Sequence, residues 1–264
     1  MYSPLSISQN VLKFRLSSGK ERSVLESIQS NLPKFEFDEG FSPTIISNIY
    51  FDTRDLAFGH QAISNPQENT RLRAREYYYS SSNGFVHKPH VWVEVKVTNI
   101  NSVRKKRFRI PKEFLGRLWG GEDVRDPLIK SNTEESGVAL EHYNELRETL
   151  ADRGFVPTVS TCYTRHVYQH QTNGLRLTLD HDISYHIPPG DLYETFETLS
   201  RERMGRELDR VEGWILEVKG PEGGLKDIDS LPDWLAQVVD ETILTFYSKY
   251  RSALSRLLEE EALP

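Results

Sequence analysis

Apolar and polar residues alternate with a period of two along much of this chain. The alternating segments are rich in β-branched and aromatic residues, and most are bounded by Gly, Pro, Asn or Asp, which predicts β-strands. The predicted strands are Val11–Leu16, Ile45–Phe51, Thr70–Tyr79, His90–Thr98, Val103–Ile110, Thr158–His170, Leu175–Ser184, Tyr193–Leu199 and Trp214–Lys219. The polar segment Ser80–Gly84 predicts a hairpin loop.

Three segments have the helical period instead. They are Gly19–Asn31, Glu134–Arg153 and Leu231–Glu261, the last with an interruption near Val239. Few helices fall between consecutive strands, so we expect a mainly antiparallel sheet, and this number of strands favours a barrel or a sandwich. No repeat and no linker divides the sequence, which predicts one α+β domain over residues 1–264.

Composition excludes several classes of protein. No apolar run approaches the ~20 residues of a membrane span, and Met1–Asn10 lacks the pattern of a signal peptide. We therefore expect a cytoplasmic protein with no membrane span. Its single cysteine, Cys162, excludes an internal disulfide and leaves too few thiolates for a zinc or iron–sulfur site. The net charge of −6 argues against broad nucleic-acid binding.

The charge is unevenly distributed, and one region of this acidic chain is strongly basic. From Arg71 to Arg109 the only acidic residues are Glu76 and Glu94, among many lysines and arginines. Five predicted strands place ionisable residues at alternate positions, which therefore share a face. These faces are Arg71, Arg73 and Arg75; Trp92, Glu94 and Lys96; Lys105, Arg107 and Arg109; Arg176, Thr178 and Asp180; and Glu217 with Lys219.

Two arrangements of these faces are open. Charged faces usually coat the outside of a sandwich. Alternatively, the sheet closes with them inward and forms a basic tunnel containing a few carboxylates such as Glu94 and Glu217. Two like charges ~8 Å apart repel by roughly 2 kcal/mol at an effective dielectric near 20, so converging cations need a polyanion or carboxylates. Such a tunnel suits a phosphate chain with a divalent metal ion.

The order of these motifs resembles that of the VTC catalytic domain. So does the alternation that puts the charged residues of each strand on one face. The matching residues are Lys13, Tyr50–Thr53, Arg71–Arg75, Trp92–Lys96, Lys105–Phe108, Tyr163–Arg165, Arg176–Asp180, Leu216–Lys219 and Ser248–Tyr250. This domain is the vacuolar transporter chaperone type of polyphosphate polymerase, one of the triphosphate tunnel metalloenzymes. The resemblance runs from about Val11 to Tyr250 and implies a closed antiparallel β-barrel with flanking helices and a C-terminal helix.

The resemblance also implies a reaction, in which the γ-phosphate of ATP is transferred to a growing polyphosphate chain. It implies Mn²⁺ or Mg²⁺ on Glu217, and the tunnel pattern adds Glu94 as a second candidate metal ligand. The residues expected to take part in catalysis are Arg73, Arg75, Lys96, Arg165, Arg176 and Lys219. Those expected to bind substrate phosphates are Lys13, Lys105, Arg107, Tyr163, Ser248 and Lys249.

The sequence departs from the family pattern in two places. The superfamily usually has a Glu two residues before the first-strand lysine, where this chain has Val11, and the C-terminal helix is poorer in lysine around Ser248 and Lys249. Two rival functions therefore stay open. One is a triphosphatase of the same fold acting on inorganic triphosphate or a nucleoside triphosphate, and the other is a non-catalytic polyphosphate-binding module. Any coupling to a membrane would need a partner protein.

Other signals are weaker. The histidines around His166 and His181 fit no standard zinc spacing. Trp92 and Trp214 each begin a charged strand and can in principle stack a nucleotide base, although core packing is the favoured interpretation. The glycine-rich segment Gly220–Gly224 lacks the spacing and lysine of a P-loop, which favours a turn.

Overall fold

The computed structural model of the chain describes residues 11–37, 42–100, 102–150, 154–190, 199–220, 225, 228–239, 243–244 and 247–261. The strands are β1 Val11–Arg15, β2 Thr44–Asp52, β3 Asn69–Ser81, β4 Gly84–His87, β5 His90–Asn99, β6 Ser102–Pro111, β7 Val156–Gln169, β8 Arg176–Ile187, β9 Arg206–Val211, β10 Ile215–Lys219 and β11 Ile243–Leu244. The α-helices are α1 Glu21–Asn31, α2 Ala57–Ser64, α3 Leu115–Trp119, α4 Arg125–Ser131, α5 Ser136–Leu150, α6 Asp233–Val239 and α7 Lys249–Glu261.

Within the described residues the strands form one 11-stranded sheet with the order β11-β1-β10-β8-β7-β2-β3-β5-β6, while β4 pairs with β3 and β9 with β8. Every strand pairing is antiparallel. This confirms the predicted antiparallel sheet with flanking helices. The predicted segment Tyr193–Leu199 lies outside the described residues except for its last position.

The sheet is strongly curved, and its ionisable face is the concave one. Lys96 on β5 lies close enough to Lys13 on β1 and Glu217 on β10 for their charges to shift its pKa, although five strands separate β5 from β1 in the sheet order. Among the described residues no pairing joins the edge strands β6 and β11. A closed barrel is therefore not confirmed, whereas a curved sheet with its charges inside is observed.

Helices cover the apolar, convex side of the sheet. On β2, β3, β5 and β6 the outward side chains pack with α3, α4 and α5, as Leu72 and Phe108 do against Leu118 and Tyr143. On β1, β8 and β10 they pack with α1 and α6. Full burial of each such side chain contributes about 1.5–3 kcal/mol. This apolar cover opposes the repulsion among the charges on the other face.

The last helix, α7, packs inside one end of the curved sheet. Its residues Tyr250 and Leu254 join an apolar cluster with inward-facing Tyr163. The Asp52 carboxylate, at the end of β2, accepts hydrogen bonds from Tyr250 Oη at 2.9 Å and from the Gly59 backbone in α2 at 2.7 Å. A side chain at Gly59 would place its Cβ 2.4 Å from Leu254 Cδ2. Asp52 and Gly59 thus hold the beginning of α7 against the sheet.

The helices agree with the sequence patterns in part. The predicted helix Leu231–Glu261 is divided into α6, the short strand β11 and α7, as the interruption near Val239 indicated. Helices α2, α3 and α4 were not predicted, because 8, 5 and 7 residues are too few to show a clear helical period. No described helix is long and apolar enough to cross a membrane.

Candidate active site

Strand register aligns the ionisable residues of β3, β5 and β6 in three rows across the concave face. Alternate positions of each strand point the same way, and the antiparallel pairing sets one such residue opposite another. The rows are Arg71–Lys96–Lys105, Arg73–Glu94–Arg107 and Arg75–Trp92–Arg109. The facing wall, on β8, β10 and β1, has the rows Arg176–Lys219 and Thr178–Glu217–Lys13.

Glu94 is the central counter-ion of the first wall, and its side chain is 1% exposed. Its carboxylate accepts a hydrogen bond from Arg73 Nε at 2.6 Å and contacts Lys105 Nζ. Arg75 Nε and Arg107 Nη1 lie 3.8 and 3.9 Å from it. Burial alone would raise the pKa of Glu94, but Arg73, Lys105 and Arg75 hold it well below its usual range. One carboxylate therefore neutralises part of the charge of four cations.

Arg75 has a fixed position because three side chains accept its hydrogen bonds. Its Nε donates to Asn48 Oδ1 at 2.7 Å, Nη1 to Tyr77 Oη at 3.2 Å and Nη2 to Tyr163 Oη at 3.3 Å. Neighbouring Arg73 donates from Nη1 to Tyr50 Oη at 3.4 Å. These guanidinium groups are held in place before any ligand binds.

We call one end of the concave face the helix end, because α7 begins there. It consists of Lys13, Arg71, Arg165, Asp180, Ser248 and Lys249. Asp180 accepts hydrogen bonds from Arg165 Nε at 2.6 Å, Arg165 Nη2 at 2.7 Å and Lys249 Nζ at 2.5 Å. Arg71 Nη1 donates to Ser248 Oγ at 2.9 Å. Although burial opposes the shift, Arg165 and Lys249 lower the pKa of Asp180 to about 2.

Lys96 lies beside this end and has few anionic neighbours. Among the described residues, no carboxylate oxygen lies within ion-pair distance of its Nζ. Burial, together with the charges of Arg71 and Lys13, lowers the pKa of Lys96 well below its usual range. A bound anion would raise this pKa again. Lys96 is therefore well placed to respond to an anionic ligand.

Glu217, a candidate metal ligand, has fewer cationic neighbours than Glu94 has. Its Oε1 lies 2.9 Å from Lys219 Nζ, and its Oε2 is 3.8 Å from Lys13 Nζ. The described residues contain no group of three His, Cys, Asp or Glu side chains placed to hold a metal ion. Mg²⁺ commonly binds through one or two carboxylates plus substrate phosphates. Glu217 fits that mode, in which phosphate oxygens supply further ligands.

We call the opposite end the aromatic end. It consists of Phe35, Phe37, Tyr77, Trp92, Arg107, Arg109 and Arg176. The guanidinium carbons of Arg107 and Arg109 lie 4.3 and 5.3 Å from the centre of the Trp92 ring. That of Arg176 lies 5.5 Å from the Phe35 ring and 5.2 Å from the Phe37 ring. The buried Nε atoms of these three arginines have no hydrogen-bond partner among the described residues.

Tyr77 links the aromatic end to the centre of the face. Its ring lies 6.1 Å from that of Phe37, and its hydroxyl accepts the hydrogen bond from Arg75. Although burial opposes ionisation, the charge of Arg75 lowers the pKa of Tyr77 to about 8. Burial lowers the pKa of nearby Lys105, also to about 8, against the opposing effect of Glu94. Both side chains therefore change their charge near pH 8.

The structure places every residue proposed from the sequence on the concave face or at the beginning of α7. Their individual roles stay predictions. Three residues that contact the proposed ones were given no site role from the sequence. Asp180 and Arg71 were placed on the charged faces only, and Tyr77 was missed altogether. Alternation along the strand was the signal that could have identified them, because Asp180 shares a strand face with Arg176, and Arg71 shares one with Arg73.

The two tryptophans lie in different surroundings. Trp214 is outside the concave face, packed against an apolar cluster and stacked on His166 and His181. The Nε2 atoms of these histidines are 3.2 Å apart. Trp92 joins none of the apolar clusters formed by the described residues. Core packing, the favoured interpretation for both, therefore describes Trp214 but not Trp92.

Comparison with known proteins identifies a family. The family model described as "VTC domain" matches residues 9–258 of this chain. No curated protein matches the sequence.

Solved structures with a similar fold share little sequence with the chain. The PH1819 protein of Pyrococcus horikoshii OT3 has 15% identity and a TM-score of 0.44, with 96% of this chain and 99% of that chain covered. A "putative adenylate cyclase" from Vibrio parahaemolyticus has 13% identity and a TM-score of 0.45, covering 94% and 98%. Another from Bacillus halodurans has 13% identity and a TM-score of 0.43, covering 81% of each chain.

Proposed function

Because the chain belongs to the VTC domain family, we propose that it is a polyphosphate polymerase, which transfers the γ-phosphate of ATP to a growing polyphosphate chain. The observation that supports this most is the excess of positive charge on the concave face. The contacts of Glu94, Asp180 and Glu217 offset only part of it. A chain of phosphates supplies the missing negative charge along the whole face.

We propose further that the curved sheet encloses this ligand as a closed tunnel. Cations from strands far apart in the sheet order affect one another's pKa, as Lys96 and Lys13 do. Like charges ~8 Å apart repel by roughly 2 kcal/mol per pair at an effective dielectric near 20. A phosphate chain between the two walls would turn this repulsion into attraction on both sides.

The residues on this face would act mainly by positioning and by electrostatic stabilisation. Phosphoryl transfer needs the attacking and leaving oxygens in line and the charge on the equatorial oxygens offset. Arg75 and Arg73 are held by hydrogen bonds and can grip phosphate oxygens without reorganising. The bound phosphate would stabilise the charged form of Lys96, whose pKa is lowered by burial, Arg71 and Lys13. No side chain needs to form a covalent intermediate.

In this proposal Mn²⁺ or Mg²⁺ is held by Glu217 together with substrate phosphate oxygens. The ion would offset charge that develops on the transferred phosphoryl group. Glu94 is the weaker of the two candidates, because its carboxylate has four cationic neighbours, whereas that of Glu217 has two. Val11 lies on the same face as Lys13, opposite Lys219, and has no oxygen ligand to add. The metal site would therefore depend on the substrate.

The shortage of metal carboxylates keeps two alternatives open. A triphosphatase would use the same cations and metal, with water replacing the phosphate chain as acceptor. A non-catalytic polyphosphate-binding module would need no metal at all, and the apolar Val11 favours it over the hydrolase. Both alternatives preserve the proposed ligand class.

The deciding experiment incubates the purified protein with ATP and Mn²⁺ and measures long-chain polyphosphate, ADP and free phosphate. Polyphosphate with ADP supports the proposal. Free phosphate without polymer supports the triphosphatase, and binding without turnover supports the module. The Arg73→Ala variant should lose triphosphate binding while remaining folded. The Arg104→Ala variant, in which an exposed arginine of β6 is removed, is the matched control and should bind as the wild type does.

A further inference from the structure

We infer that the aromatic end of the concave face is a nucleobase subsite, in which Trp92 and its two arginines stack a purine ring. This inference rests on the proposed function, because it states where the nucleoside of the triphosphate substrate lies. It concerns the outermost of the three rows, Arg75–Trp92–Arg109. The two remaining rows, together with Arg75, would then bind phosphates.

The position of Trp92 is the first observation. A large indole normally packs in an apolar core, but Trp92 is half-buried among charged groups. It shares a face of β5 with Glu94, two residues away, and lies opposite Arg75 and Arg109 on the neighbouring strands. Neither the outer apolar clusters nor the α7 cluster includes it. Trp92 therefore presents an aromatic surface where the ligand is expected.

The arginines beside it are the second observation. Guanidinium planes and indole rings both stack on nucleobases, and such a stack is sequence-tolerant because every base has a π-face. Arg107 is the nearer of the two to the indole, at 4.3 Å. The buried Nε atoms of Arg107 and Arg109 have no hydrogen-bond partner among the described residues. These N–H groups remain available to acceptor atoms of a base or of a phosphate.

The order of the rows is the third observation. Successive rows are two residues apart, or about 7 Å along the strand. A base at Trp92 would direct its phosphates past Arg73 towards Lys96, two rows away and about 14 Å along β5. No carboxylate of the described residues forms an ion pair with Lys96. The terminal phosphate would therefore reach the group that most needs an anion.

The test compares the affinities of two ligands, ATP and inorganic triphosphate, for the wild type and for Trp92→Ala. Loss of one stacked base should weaken ATP binding roughly 5- to 150-fold, as alanine substitutions at base-stacking aromatics do. Inorganic triphosphate has no base, so its Kd should stay unchanged. Trp214→Ala, which removes a tryptophan outside this face, is the matched control and should affect neither ligand.

Two results would overturn the inference. One is a Trp92→Ala variant that binds both ligands as the wild type does, and the other is a variant that loses affinity for both in parallel. If wild-type protein binds no inorganic triphosphate, the proposed function fails and takes this inference with it. If the protein binds inorganic triphosphate but Trp92→Ala does not weaken ATP binding selectively, the nucleobase subsite is contradicted and the proposed function is not.

A measurement on the wild type covers the case in which Trp92→Ala does not fold. ATP and CTP carry the same triphosphate, but purines offer more surface for stacking. The subsite predicts a lower Kd for ATP than for CTP, with ATP quenching the fluorescence of Trp92. Trp92→Phe should keep part of the preference for ATP and lose that quenching. Equal Kd values for ATP and CTP in the wild type would contradict the inference.

Discussion

The two ends of the concave face carry the same kind of charge in different surroundings. At the helix end, Asp180 accepts hydrogen bonds from Arg165 and Lys249. At the aromatic end, Arg107 and Arg109 lie against Trp92, and their Nε atoms have no partner in the described part of the chain. The cations of the helix end are matched by a hydrogen-bonded carboxylate, whereas those of the aromatic end lie against aromatic rings, with Glu94 only at 3.9 Å from Arg107 Nη1.

This difference distinguishes cations that stabilise the fold from cations that are available to bind a ligand. A buried cation paired with a carboxylate is stable without ligand, but a phosphate must compete with that carboxylate for it. A cation over an aromatic ring gains only about 0.5–2 kcal/mol and keeps N–H donors for a ligand. The helix end should therefore contribute more to the stability of the empty protein. The aromatic end should contribute more to ligand affinity.

The largest effect is expected at Glu94, which lies in the middle row of the concave face, between the two ends. Glu94→Gln removes the charge that holds Arg73 and Lys105 and should destabilise the empty protein by about 3–5 kcal/mol, as when one partner of a buried ion pair is lost. Inorganic triphosphate should recover much of this loss, because it replaces the anion. Urea unfolding with and without triphosphate measures both effects.

Glu145→Gln is the matched control for Glu94. Glu145 pairs with Lys106 on the outer side and is 43% exposed. Its loss should cost less than about 1 kcal/mol, with no effect of triphosphate on the difference. An equal loss in the two variants would show that Glu94 has no special place between the two ends.

The second prediction concerns acid and the helix end. The pKa of Asp180 falls from 3.8 to about 2 on folding, so its ionisation contributes about 2 kcal/mol. For an acid with a lowered folded pKa, this contribution is complete above pH 4 and is lost as the pH falls through about 2. Asp180→Asn should therefore be less stable than the wild type at pH 7, with the gap narrowing below pH 4.

Unfolding measured in a pH series gives that gap directly. Asp209→Asn is the control, because Asp209 forms a largely solvent-exposed ion pair with Arg256. It should cost less than about 1 kcal/mol. A gap between wild type and Asp180→Asn that stays constant down to pH 2 would remove Asp180 from the stability of the helix end.

The third and smallest prediction concerns alkali and the aromatic end. As pH rises through about 8, Tyr77 gains a negative charge and Lys105 loses a positive one. Both changes oppose phosphate, so the Kd of inorganic triphosphate should rise roughly tenfold. The surrounding Arg75, Glu94 and Arg176 keep their charges over this range.

The double variant Tyr77→Phe, Lys105→Arg keeps the local charge constant and should remove this step. The Kd of triphosphate from pH 7 to pH 9 in the wild type and the double variant provides the measurement. A step of the same size in both proteins would assign it to titration of the ligand.

The alternation of residues along each strand made the charged face predictable. The contacts between distant strands could not be predicted in this way. Arg71, Arg73 and Arg75 share a face in any β-strand, so sequence alone identifies such sets. Which sets meet depends on register and curvature, and nothing local indicates that Asp180 would hold Lys249 from α7 across 69 positions. The prediction that Trp92 packs in the core was wrong because the side chains around it belong to the neighbouring strands β3 and β6. Closure of the sheet depends on edge pairing that the sequence pattern does not specify.

The separation of charge between the inside and the outside of this protein affects which polyanions it can meet. The chain has a net charge of −6, yet its concave face has an excess of cations, so the remaining surface is considerably more acidic than the total suggests. At physiological salt this outer charge acts over about 8 Å. It should repel nucleic acids and other bulky polyanions, while a slender phosphate chain reaches the cations inside. If the proposed ligand binds there, an acidic exterior would select against bulky polyanions.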